Sequence, residues 1–260
     1  MGSLPNVSAF LGTAFGLDGY HGSFVGQASF DGVISVMMHP RNQVAALLPD
    51  DLVPAEAASA TPELHPVVIL FGDQREASLL TGGFPVALGI TYQESMLAIP
   101  CVRHIHGLQL HTFSAIMHTN HAPARWSGNT YYGYAKQMAD LGWSDTSFVV
   151  AEPNGGVIAH ARIETADVWF SPDKAPGVAL RNIRDYFALP ILGRKDDGTY
   201  VASHFEWRFD DAAVRPVDAS LSVERGLAGL QSGVHADAPS GSIQVRRMRW
   251  RVSWPFAPRF

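Results

Sequence analysis

The stretch YQESMLAIP at residues 92–100 sets one carboxylate, Glu94, immediately before an apolar run. Alternate residues of a β-strand point to the same side, so Tyr92 and Glu94 share a face. A carboxylate on the core side of a strand needs a partner, because burying an unpaired charge is costly. The stretch therefore predicts a strand of a β-rich fold, with Glu94 either exposed to solvent or paired within the protein.

A second stretch, YYGYAKQ at residues 131–137, holds a single lysine among aromatic and small residues. Burial of Lys136 among them would disfavour its charged form and leave a neutral amine that can attack a carbonyl carbon. A lysine with aromatic neighbours also commonly extends its amine along them to solvent. The stretch alone leaves both interpretations open.

Together the two stretches resemble the acetoacetate decarboxylase family. Its members carry a Tyr-x-Glu-Ser-x-x-x-x-Pro strand and, some tens of residues later, an aromatic-Pro-Lys motif. The positions that match are Tyr92, Glu94, Ser95 and Pro100 for the first motif, and Tyr134 and Lys136 for the second, with Ala135 in place of the proline. Weaker similarity at residues 48–52 and 189–190 extends the resemblance over most of the chain.

The resemblance implies a mainly β fold of the α+β kind, an antiparallel β-barrel of the acetoacetate decarboxylase type with few short helices. We expect one domain over residues 1–260, assembled into a homo-oligomer. The implied activity is that of a cofactor-free carbon–carbon lyase, which binds a ketone or keto acid as a Schiff base on Lys136 with Glu94 as the second catalytic group. Tyr92, Tyr132 and Tyr134 are the candidate substrate-binding residues, and core packing with a satisfied hydroxyl is the alternative for each.

The chain departs from the family pattern around the lysine. Gln137 replaces a second lysine, Phe30 aligns with the arginine that pairs with the substrate carboxylate, residues 128–130 read Gly-Asn-Thr instead of Gly-Arg-Glu, and the apolar run at residues 67–71 replaces a second glutamate. These departures resemble the family's divergent branch, in which the imine serves aldol condensation, retro-aldol cleavage or dehydration of keto acids. Decarboxylase and aldolase-dehydratase chemistry both stay open.

Three nearby side chains are candidates to replace the missing arginine, namely His118, His121 and Arg125. Each of them equally fits a polar surface position. The sequence does not choose between these interpretations.

Composition narrows the class of partner. The chain has 260 residues, 47% of them hydrophobic, which suffices for a substantial core. Its net charge of −5 with 17% charged residues argues against nucleic acid or an anionic membrane as the main partner. Arg247, Arg249 and Arg251 alternate with Met248, Trp250, Val252 and Trp254, as in a strand with one buried face.

The number of cysteines and the first residues of the sequence bear on the cellular compartment of the protein. Cys101 is the single cysteine, so the chain forms no internal disulfide, and we expect a reducing cytoplasm. Residues 1–24 lack a basic start followed by an apolar run, and no stretch approaches the length of a membrane span. We expect neither a signal peptide nor a membrane partner.

Short apolar runs separated by turn residues predict a β protein without internal repeats. The predicted strands are residues 33–38, 67–71, 97–102, 108–116, 157–164, 200–209 and 243–254. Asp196-Asp197-Gly198 predicts a hairpin turn, and residues 55–62 and 226–241 predict loops. Residues 130–141 predict a short helix with Tyr132 and Lys136 on one face.

Two other functions compete with the lysine enzyme. His104 and His106 would share a strand face, and such a pair on a β-barrel suits zinc, copper or iron. Residues 107–113 contain no acid to complete that set, so we expect no metal. A barrel of this family that has lost catalytic groups would instead bind a small ligand without turning it over.

Overall fold

The computed structural model describes residues 24–58, 61–81, 84–165, 167–175, 179–223 and 241–260. The predicted loop at residues 226–241 lies outside these ranges except for its last residue, and the predicted 55–62 loop is described at both its ends. Residues 1–23 also lie outside them. No helix in the described ranges is long and apolar enough to cross a membrane.

The described residues form fourteen strands, three α-helices and a short 3-10 turn at Glu56–Ala58. The strands are β1 (Phe24–Pro40), β2 (Leu52–Pro54), β3 (Leu64–Thr81), β4 (Phe84–His104), β5 (His111–Thr119), β6 (Lys136–Met138), β7 (Asp140–Ser144), β8 (Ser147–Ala151), β9 (Val157–Thr165), β10 (Ile191–Arg194), β11 (Tyr200–Ser203), β12 (Phe205–Arg208), β13 (Ala213–Val223) and β14 (Ser242–Ser253). The helices are α1 (Arg41–Ala45), α2 (Ala122–Tyr132) and α3 (Ala179–Phe187).

All fourteen strands join one curled sheet, in the order β11-β10-β5-β4-β3-β1-β14-β13-β9-β8-β7, with β12, β2 and β6 paired alongside β14, β4 and β5. The pairings are antiparallel except for those of β5 with β10 and with β6. The sheet is not closed, but its curled, strand-dominated form confirms the predicted mainly β barrel type with few short helices.

Apolar side chains fill both faces of this sheet. One core, which we call the α3-side core, includes Met96 of β4, Met248 of β14 and Ile183 of α3. The other core lies between the central strands and β8–β9, and includes Leu97 and Phe148. Consecutive residues of β4 thus enter opposite cores, as strand geometry requires.

Two glycines let the central strands approach closely. Gly32 of β1 pairs with Gly72 of β3, and Gly72 pairs with Glu94 of β4. A Cβ on Gly72 would lie 2.2 Å from the Asp31 carbonyl oxygen, which is closer than real Cβ atoms approach. The residue of β3 that pairs with Glu94 is thus a glycine, so no side chain of β3 lies directly beside the Glu94 side chain.

The predicted strands are present, although the predicted 108–116 strand begins only at His111. The predicted 200–209 strand breaks at His204, because β11 pairs with β10 whereas β12 pairs with β14. The Asp196-Asp197-Gly198 turn connects β10 to β11 as predicted, with Gly198 at a φ of 86°. Helix α3 was not predicted, although its buried Leu180, Ile183 and Phe187 have helical spacing.

The arginine-rich tail forms β14, with Met248 and Val252 buried as the alternation predicts. This strand lies between β1 and β13, so it is not an edge strand. Arg247 has a φ of 58°, and the β1–β14 register shifts beside it, so two consecutive residues, Arg246 and Arg247, are exposed. The bulge is stabilised by the Asp31 carboxylate, which accepts a 2.6 Å hydrogen bond from the Arg247 amide.

Three buried histidines make the stability of the fold depend on pH. Burial lowers the pKa of His65, His111 and His118 from 6.5 to about 4. Between these two values the unfolded chain binds protons that the folded chain does not. The free energy of unfolding should therefore fall as the pH decreases from 6.5 towards 4, by up to about 1.4 kcal/mol per pH unit for each histidine.

Urea denaturation across this pH range measures the slope. His65→Gln keeps a donor for the Pro100 carbonyl, which His65 Nε2 contacts at 2.8 Å, and should reduce the slope. The matched variant of the exposed His160, His160→Gln, should not. Equal slopes for His65→Gln and the wild type would contradict the assignment.

Candidate functional site

Glu94 lies on the buried face of β4. Its side chain shares that face with Tyr92 and with Met96, which belongs to the α3-side core. Only 5% of Glu94 is exposed. A carboxylate with so little water around it requires a positively charged or donating partner.

Lys136 provides that partner from the first residue of β6. Its Nζ lies 2.5 Å from Glu94 Oε2, and the two side chains are 8% and 7% exposed. The structure thus brings together the two predicted catalytic residues, which are 42 positions apart in the sequence. At this distance a proton can pass directly between the amine and the carboxylate.

The predicted helix over residues 130–141 is wrong. Helix α2 ends after Tyr132, and Gly133 adopts a left-handed φ of 63° while the Tyr134 amide bonds to the Gly128 carbonyl at 3.2 Å. This is the glycine-terminated helix end that the sequence signals at Gly133. Lys136 then begins a strand parallel to β5, and α2 is the crossover that parallel pairing requires.

Two residues of the last turns of α2 hold the lysine, and sequence reasoning did not identify either of them. The Asn129 side chain contacts the Lys136 backbone, accepting from its N–H at 2.8 Å and donating to its carbonyl at 3.0 Å. Gly128 lies directly against the lysine stem. Both lie in the Gly-Asn-Thr stretch of residues 128–130, just before the lysine motif, and that position was the available signal.

The end of α2 is fixed to β10 by backbone contact. The Arg194 amide donates to the Gly133 carbonyl at 2.9 Å, and a Cβ on Gly193 would lie 2.0 Å from the Tyr132 carbonyl oxygen. Glycine is needed at Gly193 because of this approach. The segment from Gly133 to Lys136 is therefore anchored to β10 at its first residue.

Two of the three candidate tyrosines, Tyr92 and Tyr134, lie close enough to Glu94 for its charge to add to the effect of burial in raising their pKa. Tyr92 is buried, and burial together with the Glu94 charge raises its pKa well above the usual value. Burial raises the pKa of Tyr132 to about 12, and that of Tyr134 further. All three hydroxyls therefore stay protonated near neutral pH and can act as hydrogen-bond donors.

Two of these hydroxyls have protein partners in this structure. Tyr134 shares a 2.5 Å hydrogen bond with Ser203, and Tyr132 donates to the Ser253 carbonyl at 3.2 Å. The rings of Tyr132 and Tyr134 stack with centroids 5.4 Å apart. The two tyrosine rings therefore lie side by side, and both of their hydroxyls are hydrogen-bonded to other groups of the protein.

The three candidates for the missing arginine have other contacts. His118 is buried on the opposite face of the strand pair, with Nδ1 3.5 Å from Ser95 Oγ. His121 caps α2 by accepting from the Ala124 amide, and its ring stacks on Tyr92 at 5.2 Å. Arg125 is exposed on α2.

The other positions that depart from the family motif are also located. Gln137 is exposed, and strand alternation directs it away from the face of Lys136. Phe30 is 1% exposed in the α3-side core, where its ring lies against Gly32. Residues 67–71 are all buried in β3.

His104 ends β4 and His106 lies in the turn after it, so the two histidines do not share a strand face as predicted. His104 Nδ1 accepts from the His106 amide at 3.2 Å, and the His104 ring stacks on Phe260 at 4.3 Å. Among the described residues, no three side chains of His, Cys, Asp or Glu are grouped as metal ligands would be. Cys101 is buried.

A cavity of about 890 Å³ lies between α3 and β12. Its walls include Phe187, Phe205 and Trp207, with Arg184 and Arg208 beside them. Neither Lys136 nor Glu94 lines it. The lysine–carboxylate pair is thus distinct from this cavity.

Comparison with known proteins bears on the fold. No family model matches the chain, and no curated protein matches it. The enduracididine biosynthesis enzyme MppR with HEPES buffer bound is similar with a TM-score of 0.59 and 12% identity, over 89% of this chain and 86% of that one.

Two further solved structures share the architecture. An acetoacetate decarboxylase from Legionella pneumophila has a TM-score of 0.57 and 14% identity, over 100% of this chain and 98% of that one. An acetoacetate decarboxylase-like enzyme from Sphingomonas wittichii has a TM-score of 0.57 and 11% identity, over 91% and 94% of the two chains. Likeness at this level of identity establishes a common fold.

Proposed function

We propose that this chain, which has the acetoacetate decarboxylase-like fold, is a lyase that binds a ketone or keto acid as a Schiff base on Lys136. The observation that supports it is the buried 2.5 Å contact between Lys136 Nζ and Glu94 Oε2. A buried ion pair contributes little to stability compared with apolar residues of the same volume, so its presence favours a chemical role.

The Glu94 carboxylate can first accept a proton from the Lys136 ammonium and later donate it. Glu94 accepts a proton from the Lys136 ammonium, and the neutral Nζ attacks the substrate carbonyl carbon to form a carbinolamine. Glu94 then returns the proton to the carbinolamine hydroxyl, which leaves as water. The products of this step are an iminium, with its positive charge on the lysine nitrogen, and an ionised Glu94.

The iminium then withdraws electrons from the neighbouring bond. In a β-keto acid, the carbon–carbon bond to the carboxylate breaks, carbon dioxide leaves, and the electron pair forms an enamine. In other ketones a base removes an α proton, and the enamine attacks an aldehyde. Tyr92 and Tyr134 lie nearest to the pair, because burial and also the Glu94 charge contribute to the raised pKa of both, whereas Tyr132 stacks on Tyr134.

Both reaction types have a counterpart among the structures of this fold. One is an acetoacetate decarboxylase, and MppR has been captured with pyruvate and with the condensation product of pyruvate and imidazole 4-carboxaldehyde. The nearly enclosed amine favours a small carbonyl substrate. Our proposal therefore covers decarboxylation and aldolase-dehydratase chemistry, and assembly into a homo-oligomer remains a prediction.

Borohydride trapping tests the proposal, because it reduces an imine to a stable secondary amine. The wild type incubated with pyruvate or acetoacetate plus borohydride should gain mass, and Lys136→Ala should not. The chain has only three lysines, namely Lys136, Lys174 and Lys195, so peptide mapping locates the adduct. Lys174→Ala, at an exposed lysine, is the matched control and should keep the gain.

The same experiment separates the enzyme from a barrel that only binds ligands. The wild type is tested with a panel of keto acids and ketones. Binding without any lysine-dependent adduct would contradict the Schiff-base assignment. An adduct spread evenly over the lysines and the terminal amine would do the same, since it would show no selective activation of Lys136.

A further inference from the structure

We propose that Gly128 and Asn129 are positioning residues that hold the Lys136 amine on Glu94, an inference that rests on the proposed function. Neither residue touches a reacting atom in this arrangement. Gly128 leaves the space in which the lysine stem lies, and Asn129 fixes the backbone from which that stem starts.

Asn129 forms two hydrogen bonds with the backbone of Lys136. Its Oδ1 accepts from the Lys136 N–H at 2.8 Å, and its Nδ2 donates to the Lys136 carbonyl at 3.0 Å. An amide is the side-chain group that supplies an uncharged acceptor and donor at once. Two parallel bonds prevent the peptide units around Lys136 from rotating, whereas a single bond would leave that rotation free.

The two Asn129 hydrogen bonds are needed to hold the Lys136 backbone in place because β6 is short. The strand has three residues and pairs with β5 alone, from Met117↔Lys136 onward. Few ladder bonds therefore hold the lysine backbone. The Asn129 bonds connect it to α2, whose end is seated on β10 through Gly133 and Gly193.

Gly128 determines the path of the lysine stem. A Cβ at this position would lie 2.7 Å from both Cδ and Cε of Lys136. The crowded atoms belong to a flexible side chain, so the protein can accommodate the methyl group by displacing the stem. Displacement of Cδ and Cε moves Nζ away from Glu94, which lies only 2.5 Å from it now.

Gly128→Ala consequently separates chemistry from stability. Alanine in a helix is favoured over glycine by about 0.5–1 kcal/mol, so the gain in helix propensity offsets the local crowding. A residue with a merely structural role would lower the melting temperature and the reactivity together. We expect the melting temperature of Gly128→Ala to stay near that of the wild type while imine formation slows.

The test is the rate of borohydride-trapped adduct formation at increasing pyruvate concentration. Gly128→Ala should lower the limiting rate by about 10²-fold, the effect typical of a misplacement of about 1 Å, and leave the half-saturating concentration little changed. Gly142→Ala is the matched control, because a Cβ at Gly142 would meet nothing within 4 Å. It should react at the wild-type rate.

Asn129→Leu tests the second half of the proposal. Leucine has a similar size and forms neither bond, so the limiting rate should fall by about 10-fold or more. Gln244→Leu is its control for a general loss of stability, because it removes a buried side-chain amide that bonds Arg215 and Asp145. The Gln244 variant should keep the rate at temperatures where both variants are folded.

The outcomes distinguish the two proposals. A wild type without a Lys136 adduct overturns the proposed function, and the positioning roles with it. A wild type that forms the adduct, beside a Gly128→Ala variant that forms it equally fast, overturns the positioning role of Gly128 alone. Asn129→Leu at the wild-type rate does the same for Asn129.

Discussion

Glu94→Gln is expected to slow formation of the trapped imine by about 10²–10⁴-fold, the range typical of losing a general acid–base group. Glutamine has the shape of the carboxylate and its amide oxygen can still accept a hydrogen bond from Lys136 Nζ. It cannot take the proton from the ammonium or return it to the leaving hydroxyl. The packing of the site is kept while its proton carrier is removed.

The measurement is the limiting rate of lysine-specific mass gain with pyruvate and borohydride near neutral pH. Glu164→Gln is the matched control, because Glu164 on β9 has a side chain that is 71% exposed. It should react as the wild type does. A Glu94→Gln variant with the wild-type limiting rate would show that the carboxylate only balances the charge of the lysine.

The second large effect concerns stability. Lys136→Met leaves Glu94 buried without its cationic partner, and removal of one member of a buried ion pair typically costs about 3–5 kcal/mol. Glu94→Leu should be similarly destabilising, because it leaves the ammonium enclosed. The free energy of unfolding from urea denaturation near neutral pH is the quantity to compare.

The double variant carrying both changes should recover most of this loss. Replacing a buried pair by apolar residues is often neutral or stabilising by about 1–4 kcal/mol, since no charge remains to be desolvated. The two single losses must therefore fail to add. Strictly additive losses in the double variant would mean that the two charges do not interact in the folded protein.

Strand periodicity was readable because it depends on the backbone alone. Alternate residues of β4 point to one side wherever that strand lies, so Tyr92 and Glu94 were correctly placed on a common face. The same holds for the alternation in β14 and for the glycine turn before β11. Neighbouring residues carry this information, and no distant contact is needed to interpret it.

The helix prediction around Lys136 failed for a non-local reason. A strand of three residues is too short to show a period, and the segment contains residues that suit a helix. Its strand conformation comes from pairing with β5, which lies beyond an intervening helix. The left-handed Gly133 is the local sign that the helix ends, whereas the spacing of Tyr132 and Lys136 suits a helix that continues.

The sequence by itself determined the β-rich architecture, the resemblance of its two motifs to one family, and the choice of Lys136 and Glu94 as the candidate catalytic residues. Only the tertiary structure decided that these two groups meet, that their contact is buried, and that Gly128 and Asn129 lie against the lysine. The difference is physical. Side-chain direction follows from local backbone geometry, whereas the partner of a buried charge is fixed by which distant strands pair, and that is settled only when the whole sheet forms.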